Sequence, residues 1–210
     1  MTQAGPIRQE EGMALVKTRK GEIVQDPPLA RRLLSDTRAG WLWLIPRVWL
    51  GYKWLEASSH KLGDAAWMQN GDALKGFWER AVLIPESGRP AITFDWYRAF
   101  LQAMLDAQAY TWFAKVVAIG ETLVGIALIV GAFTGIAAFF GALMNFNFML
   151  AGSASSNPVL FLIAIGLMLA WKVAGIAGAD FFLLRRLGTP WQAVPQPLGI
   201  AGEAAAGVAT

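Results

Sequence analysis

The 210-residue chain has no cysteine and a single histidine, His60. The first absence removes disulfides, thiolate metal ligands, iron–sulfur ligation and persulfide chemistry together. The second means that one chain cannot supply a bis-histidine haem site. Charge is scarce too: 16% of residues are Asp, Glu, Lys or Arg, against about 25% in soluble proteins. The formal net charge of +3 is small and dispersed, which argues against nucleic acid as a partner. There is no P-loop, no Rossmann glycine fingerprint, no metal-ligand cluster and no nucleophile triad. Any redox chemistry must then use a diffusible cofactor or a partner subunit.

What the chain has in quantity is apolar surface. Apolar residues make up 55%, and the charges gather outside the apolar runs. The expected fold is an all-α integral membrane protein, a four-transmembrane-helix bundle with short interfacial helices between spans 1 and 2. The expected spans are about 40–62, 113–133, 136–152 and 158–178, with an outer cap at 63–111. Residues 1–39 read as a polar cytoplasmic arm and 188–210 as a flexible tail. Within the arm, Leu29 to Leu34 reads either as a short interfacial turn or as part of a solvated tail.

The stretch from Gly120 to Pro158 organises the rest. After Glu121 it holds no second charge, and a break at Thr134-Gly135 divides it into two apolar halves, an antiparallel hairpin. Gly131 and Gly135, with Ala132, Ala137, Ala138, Gly141 and Ala142, permit close backbone approach around that break. In the cap, Leu74 to Ile84 and Phe94 to Ala109 both have helical spacing, separated by Pro85 and Pro90. An apolar core preceded directly by a short basic region is missing at the N-terminus, so no secretory signal is expected. Arg31, Arg32 and Arg38 before span 1 and Arg185-Arg186 after span 4 put both termini on the cytoplasmic side by the positive-inside rule. The localisation so implied is the inner (plasma) membrane, multi-pass.

Counting depth at about 1.5 Å per residue in a core about 30 Å thick groups the intramembrane polar residues in two layers. The outer layer holds Lys53, Glu56, His60, Glu121, Asn145 and Asn147, with Lys53 as the partner expected for Glu121. The inner layer holds Arg47, Lys172 and Asp180 as structural ion pairs. Helical counting places Arg47, Gly51 and Trp54 on one side of span 1, and Lys53, Glu56 and His60 on a neighbouring one. Two readings of the layers stand. Either both are ion pairs that fix helix register, or the outer layer is a headgroup or quinone pocket. In the second, Glu121 and His60 handle protons, and Lys53, Glu56, Asn145 and Asn147 bind the ligand.

Four pieces carry a resemblance: R-V-W-L-G-Y-K-W-L with the later H-K-L, G-E-T-L-V-G-I-A-L-I-V-G-A-F-T-G-I-A-A, A-G-S-A-S-S-N-P, and A-G-I-A-G-A-D. Over about residues 38–187 the chain resembles the DoxX/DoxD family of four-helix membrane proteins. The long insert between spans 1 and 2 resembles the DoxD type, the small membrane subunit of thiosulfate:quinone oxidoreductase. The resemblance implies that Arg47, Gly120-Glu121 and Asp180 are recurrent family features. It also implies a subunit that pairs with a second protein and passes electrons to a non-covalently bound quinone. The competing reading is a non-catalytic accessory or structural subunit of a larger membrane-embedded complex, respiratory or photosynthetic. A small transporter is a third, weakened by the absence of an inverted repeat.

Overall fold

The computed structural model describes residues 27–187, together with the backbone of a two-residue ladder in which Val16–Lys17 pairs antiparallel with Ile23–Val24. The remainder of the arm and the tail from 188 onward lie outside the described residues, and so do the expectations placed on them.

Helix α1 (Pro28–Leu34) begins at a proline, whose missing N–H costs nothing in a first turn. A 3₁₀ turn, Thr37–Ala39, leads into α2 (Gly40–Leu62), which runs through Pro46 without a break. The Trp43 indole donates to the Leu33 carbonyl (2.9 Å) and ties α1 to the start of α2. Three shorter helices follow: α3 (Ala65–Met68), α4 (Asp72–Val82) and α5 (Asp95–Asp106). Then come α6 (Tyr110–Val130) and α7 (Thr134–Leu150). The last segment is broken into α8 (Asn157–Leu169), α9 (Trp171–Ala174) and α10 (Asp180–Arg186). The described bundle is helical throughout.

Helices α2, α6, α7 and α8 form an up-down-up-down bundle, with α2 packed most extensively on α6 and α7 on α8. Close approach of α2 and α6 is set at Gly51 and Gly125. A Cβ on Gly51 would lie 2.9 Å from the Gly125 carbonyl oxygen, and a Cβ on Gly125 would lie 3.0 Å from that of Gly51. The core between the four helices is Leu50, Trp54, Leu128, Ala138, Ala164, Leu167 and their neighbours. A second core lies under the cap, where Leu74, Trp78, Ile92, Tyr97 and Leu101 close over Ala109, Ala114 and Ala151. Arg98 fastens the loop that joins α4 to α5, donating to the Ile92 carbonyl (2.5 Å) and to Asp95 (2.6 Å).

The outside of the bundle is apolar. Ile119, Leu123 and Ile126 on α6, Ile136, Phe139 and Phe146 on α7, and Leu162 on α8 are all largely exposed. One helix, Tyr110–Val130, is long and apolar enough to cross a membrane, while Thr134–Leu150 and Asn157–Leu169 are apolar but shorter. Exposed α6 positions recur at three- and four-residue spacing, so the face turned away from the core is as apolar as the face turned in.

Two boundaries differ from expectation. The hairpin turns at Gly131–Phe133, and Thr134 already opens α7. Gly131 adopts the left-handed conformation (φ 71°) that ends α6, a place where glycine carries no Cβ penalty. The fourth segment is not one helix from 158 to 178: it ends at Leu169, continues for one turn and stops again at Gly175. The chain there leaves the helical ladder for the end of α6, where Ala179 and Asp180 donate their N–H groups to the Val130 and Gly131 carbonyls (3.0 and 2.8 Å). A Cβ on Gly178 would stand 2.6 Å from the Val130 oxygen, so the approach needs glycine.

Candidate functional site

Two polar constellations sit at opposite ends of the bundle, and among the described residues one of them lines a large cavity. The closed one is at the α6–α7 turn. Asp180 (3% exposed) accepts from the Phe133 N–H (2.6 Å) and the Thr134 N–H (2.9 Å), capping α7 from another helix. A carboxylate is favoured there because the first amides of a helix lack partners and carry partial positive charge. Arg47 (1% exposed) donates to the Ala177 carbonyl (3.1 Å) and lies against Gly131 and Gly178, where any side chain would collide with its guanidinium. Its charge attracts that of Asp180 without a direct ion pair among the described residues. Lys172 does not join them. It is exposed and lies 5.8 Å from the Trp171 ring, because the break after Leu169 turns α9 away from the line the continuous helix would follow.

The open constellation is at the cap end. A cavity of about 720 Å³ lies between α2, α6, α7, α8 and the cap, lined by Trp54, Lys61, Trp67, Glu121, Asn145 and the Ser153–Asn157 loop among others. Glu121 is 1% exposed, and Lys61 donates to both of its carboxylate oxygens at 2.8 and 2.6 Å. The Lys61 ammonium also stands 5.1 Å from the centre of the Trp67 ring.

Lys61 therefore takes the place that sequence counting assigns to Lys53. The depth of Lys53 is reasonable, but its direction is not. The buried side of α2 is Arg47, Leu50, Gly51, Trp54 and Ser58. Lys61 is seven residues past Trp54, within about 20° of the same face at 100° per residue, whereas Lys53 is about 100° away. Measured from the Gly51–Gly125 crossing, Lys61 begins about 9 Å farther toward the cap than Glu121. Side chains tilt toward the N-terminus of their own helix, and the two helices are antiparallel, so each side chain leans toward the other and closes the gap. Lys53 pairs instead with Glu56 (2.7 Å), half-exposed at the cavity rim. His60 is exposed beside them.

Asn145 and Asn147 part company. Asn145 continues the small-residue stripe of α7 (Ala137, Gly141) by one more turn and is fully buried at the cavity wall. Neither its Nδ2 nor its Oδ1 has a hydrogen-bond partner among the described residues, nor does the buried Trp54 Nε1. Asn147 lies on the cap side. Its Nδ2 donates to the Leu143 carbonyl, and Tyr97 shares its hydroxyl proton between the Asn147 carbonyl (3.1 Å) and Oδ1 (3.2 Å). Burial pushes the Tyr97 phenol up to about 12.

Of the residues expected in one outer layer, the structure brings Lys53, Glu56, His60, Glu121 and Asn145 to one cavity and leaves Asn147 out of it. Sequence reasoning missed Lys61, Trp67 and the serine loop. The seven-residue interval between Trp54 and Lys61 was the available signal for the first; nothing local marks the other two, which arrive by tertiary folding. Compared with protein-family models, with curated proteins and with solved structures, the chain matches none.

Proposed function

We propose that the chain is a multi-pass membrane protein, with α2, α6, α7 and the α8–α9 segment crossing the bilayer and both termini on the cytoplasmic side. Its cap-end cavity would bind the ring of a quinone, and it would serve as the membrane subunit of a quinone-linked oxidoreductase of the thiosulfate:quinone type. The exposed apolar belt supports the first part, since lipid is the solvent that such a surface requires.

The observation that carries the second part is Asn145. A buried amide with neither donor nor acceptor satisfied costs about 1–3 kcal/mol, so Asn145 calls for a partner, and a ligand in the adjoining cavity is the one this reading assigns to it. Asn145 Nδ2 and Trp54 Nε1, both buried at the cavity wall, are donors suited to carbonyl oxygens once a side-chain rotation brings them to the ligand. Lys61 is already neutralised by Glu121, so the deepest part of the cavity favours a neutral carbonyl-bearing head group over a phosphate. A bound quinone would supply two-electron, two-proton redox chemistry. Glu121 and Lys61, paired at the cavity wall, would be the nearest groups able to give and take its protons, and His60 stands at the rim. Electrons would come from a partner subunit.

Organic extraction of the purified protein tests this. Quinone should be recovered with the native chain and lost from Asn145→Leu. Equal recovery from both, or recovery from neither, would remove the quinone from the reading and leave an accessory subunit.

A further inference from the structure

The polar cavity has an apolar neighbour. Phe77 of α4 and Phe148 of α7, edge to face with ring centroids 6.5 Å apart, line both it and a second cavity of about 170 Å³. The second cavity lies between the cap and the α6–α7 hairpin, walled by Trp78, Leu101, Met104, Phe113 and Val117. Its other end is bounded by Phe100 and Leu143, which are 49% and 44% exposed, so it opens on the apolar flank of the bundle. Of its polar groups, the Tyr97 hydroxyl and the Asn147 amide satisfy one another and the backbone, which leaves the Trp78 indole N–H on an otherwise apolar wall. Nothing in it calls for a head group.

We infer that the two cavities are the head and tail halves of one site, and that its ligand carries a hydrocarbon chain that runs between Phe77 and Phe148 toward the Phe100–Leu143 opening. The inference rests on the quinone reading and narrows it to quinones with a prenyl or alkyl tail. Volume agrees with this: an apolar cavity of about 150 Å³ accommodates a benzene-sized group, about one five-carbon unit of a tail. Chemistry agrees as well, since methionine and aromatic side chains conform to a flexible chain without demanding a fixed shape. The Phe77–Phe148 contact is an edge contact between two half-buried rings on different elements, which rotation about χ1 can open. The cap helices then select the tail, while the bundle selects the head.

Two probes separate the halves: 2,3-dimethoxy-5-methyl-1,4-benzoquinone, which has no tail, and its 6-decyl derivative. Each is titrated into the full chain in detergent, and quenching of tryptophan fluorescence gives Kd. Comparing native and variant protein for each probe cancels partition into micelles. Val117→Phe fills the apolar cavity from α6, and Met104→Phe does so from the cap, where a half-buried position tolerates added bulk. The decyl probe should weaken at least tenfold in a variant that melts like the native protein, with the tailless probe within twofold. Equal weakening of both probes, or of neither, overturns the tail site while leaving the quinone reading intact. Failure of the native chain to take up either probe overturns both.

Discussion

Replacing Lys61 by methionine tests the central feature of the site. Methionine keeps the unbranched stem as far as Cε and removes the ammonium that holds both oxygens of a carboxylate 1% exposed. Breaking a fully buried ion pair by removing one partner typically costs about 3–5 kcal/mol, because the remaining charge is left without compensation. The Lys61 side chain retains 17% exposure and lines an open cavity, so the lower end applies, about 3 kcal/mol. Unfolding in mixed micelles, titrated with sodium dodecyl sulfate, reads this directly. Glu121→Gln in the Lys61→Met background should recover much of the loss, since no buried charge then remains, and the double-mutant cycle should give a coupling of about 2 kcal/mol. Lys53→Met should leave unfolding unchanged, because Lys53 meets only Glu56 at the rim. A destabilising Lys53→Met with a neutral Lys61→Met would refute the reasoning. It would mean that α2 is turned by about 80° from the orientation described, the angle between the two lysines at 100° per residue.

At the other end of the bundle, Asp180→Ala removes two charge-assisted bonds to the first amides of α7 and leaves the Arg47 charge without its counterpart; it should cost about 3–5 kcal/mol in the same assay. Asn145→Leu should stabilise the ligand-free protein by about 1 kcal/mol while abolishing quinone binding, a separation of stability from function that a purely structural amide would not give. Tyr97 titrates at about 12 in the folded protein and at about 10 in an unfolded chain. Its contribution to stability is therefore complete below pH 10 and lost as pH rises toward 12, since the unfolded state releases the proton first. Tyr97→Phe should flatten that alkaline limb, and a tyrosinate absorbance titration should lose its latest-titrating component.

Much of the fold was legible because apolar runs with helical spacing admit few alternatives. The expected 40–62 segment coincides with α2, and the two cap helices fall where their spacing put them. The small-residue stripe of α7 was legible too, but its purpose was not. Its Gly141 packs against the Trp54 indole, while the close approach of α2 and α6 is set by Gly51 and Gly125, which no sequence pattern paired. The fourth segment was misread because its apolar composition suits a continuous helix. After the second break, backbone bonds tie Ala179 and Asp180 to Val130 and Gly131, residues about fifty positions away.

Composition and periodicity by themselves determined a helical chain with apolar outer faces, a hairpin near residue 134, and buried polar groups at Arg47, Glu121 and Asn145. Each follows from local rules, since a polar residue on the inward stripe of an apolar helix is placed by the stripe. Only the tertiary structure decided which of these groups meet. Lys61 rather than Lys53 reaches Glu121 because helix rotation and side-chain tilt, not depth, set the partner. Asp180 caps α7, and Asn145 lies buried at the wall of the cavity while Asn147 is spent on Tyr97. Pairing of this kind depends on angles between helices that no single helix encodes.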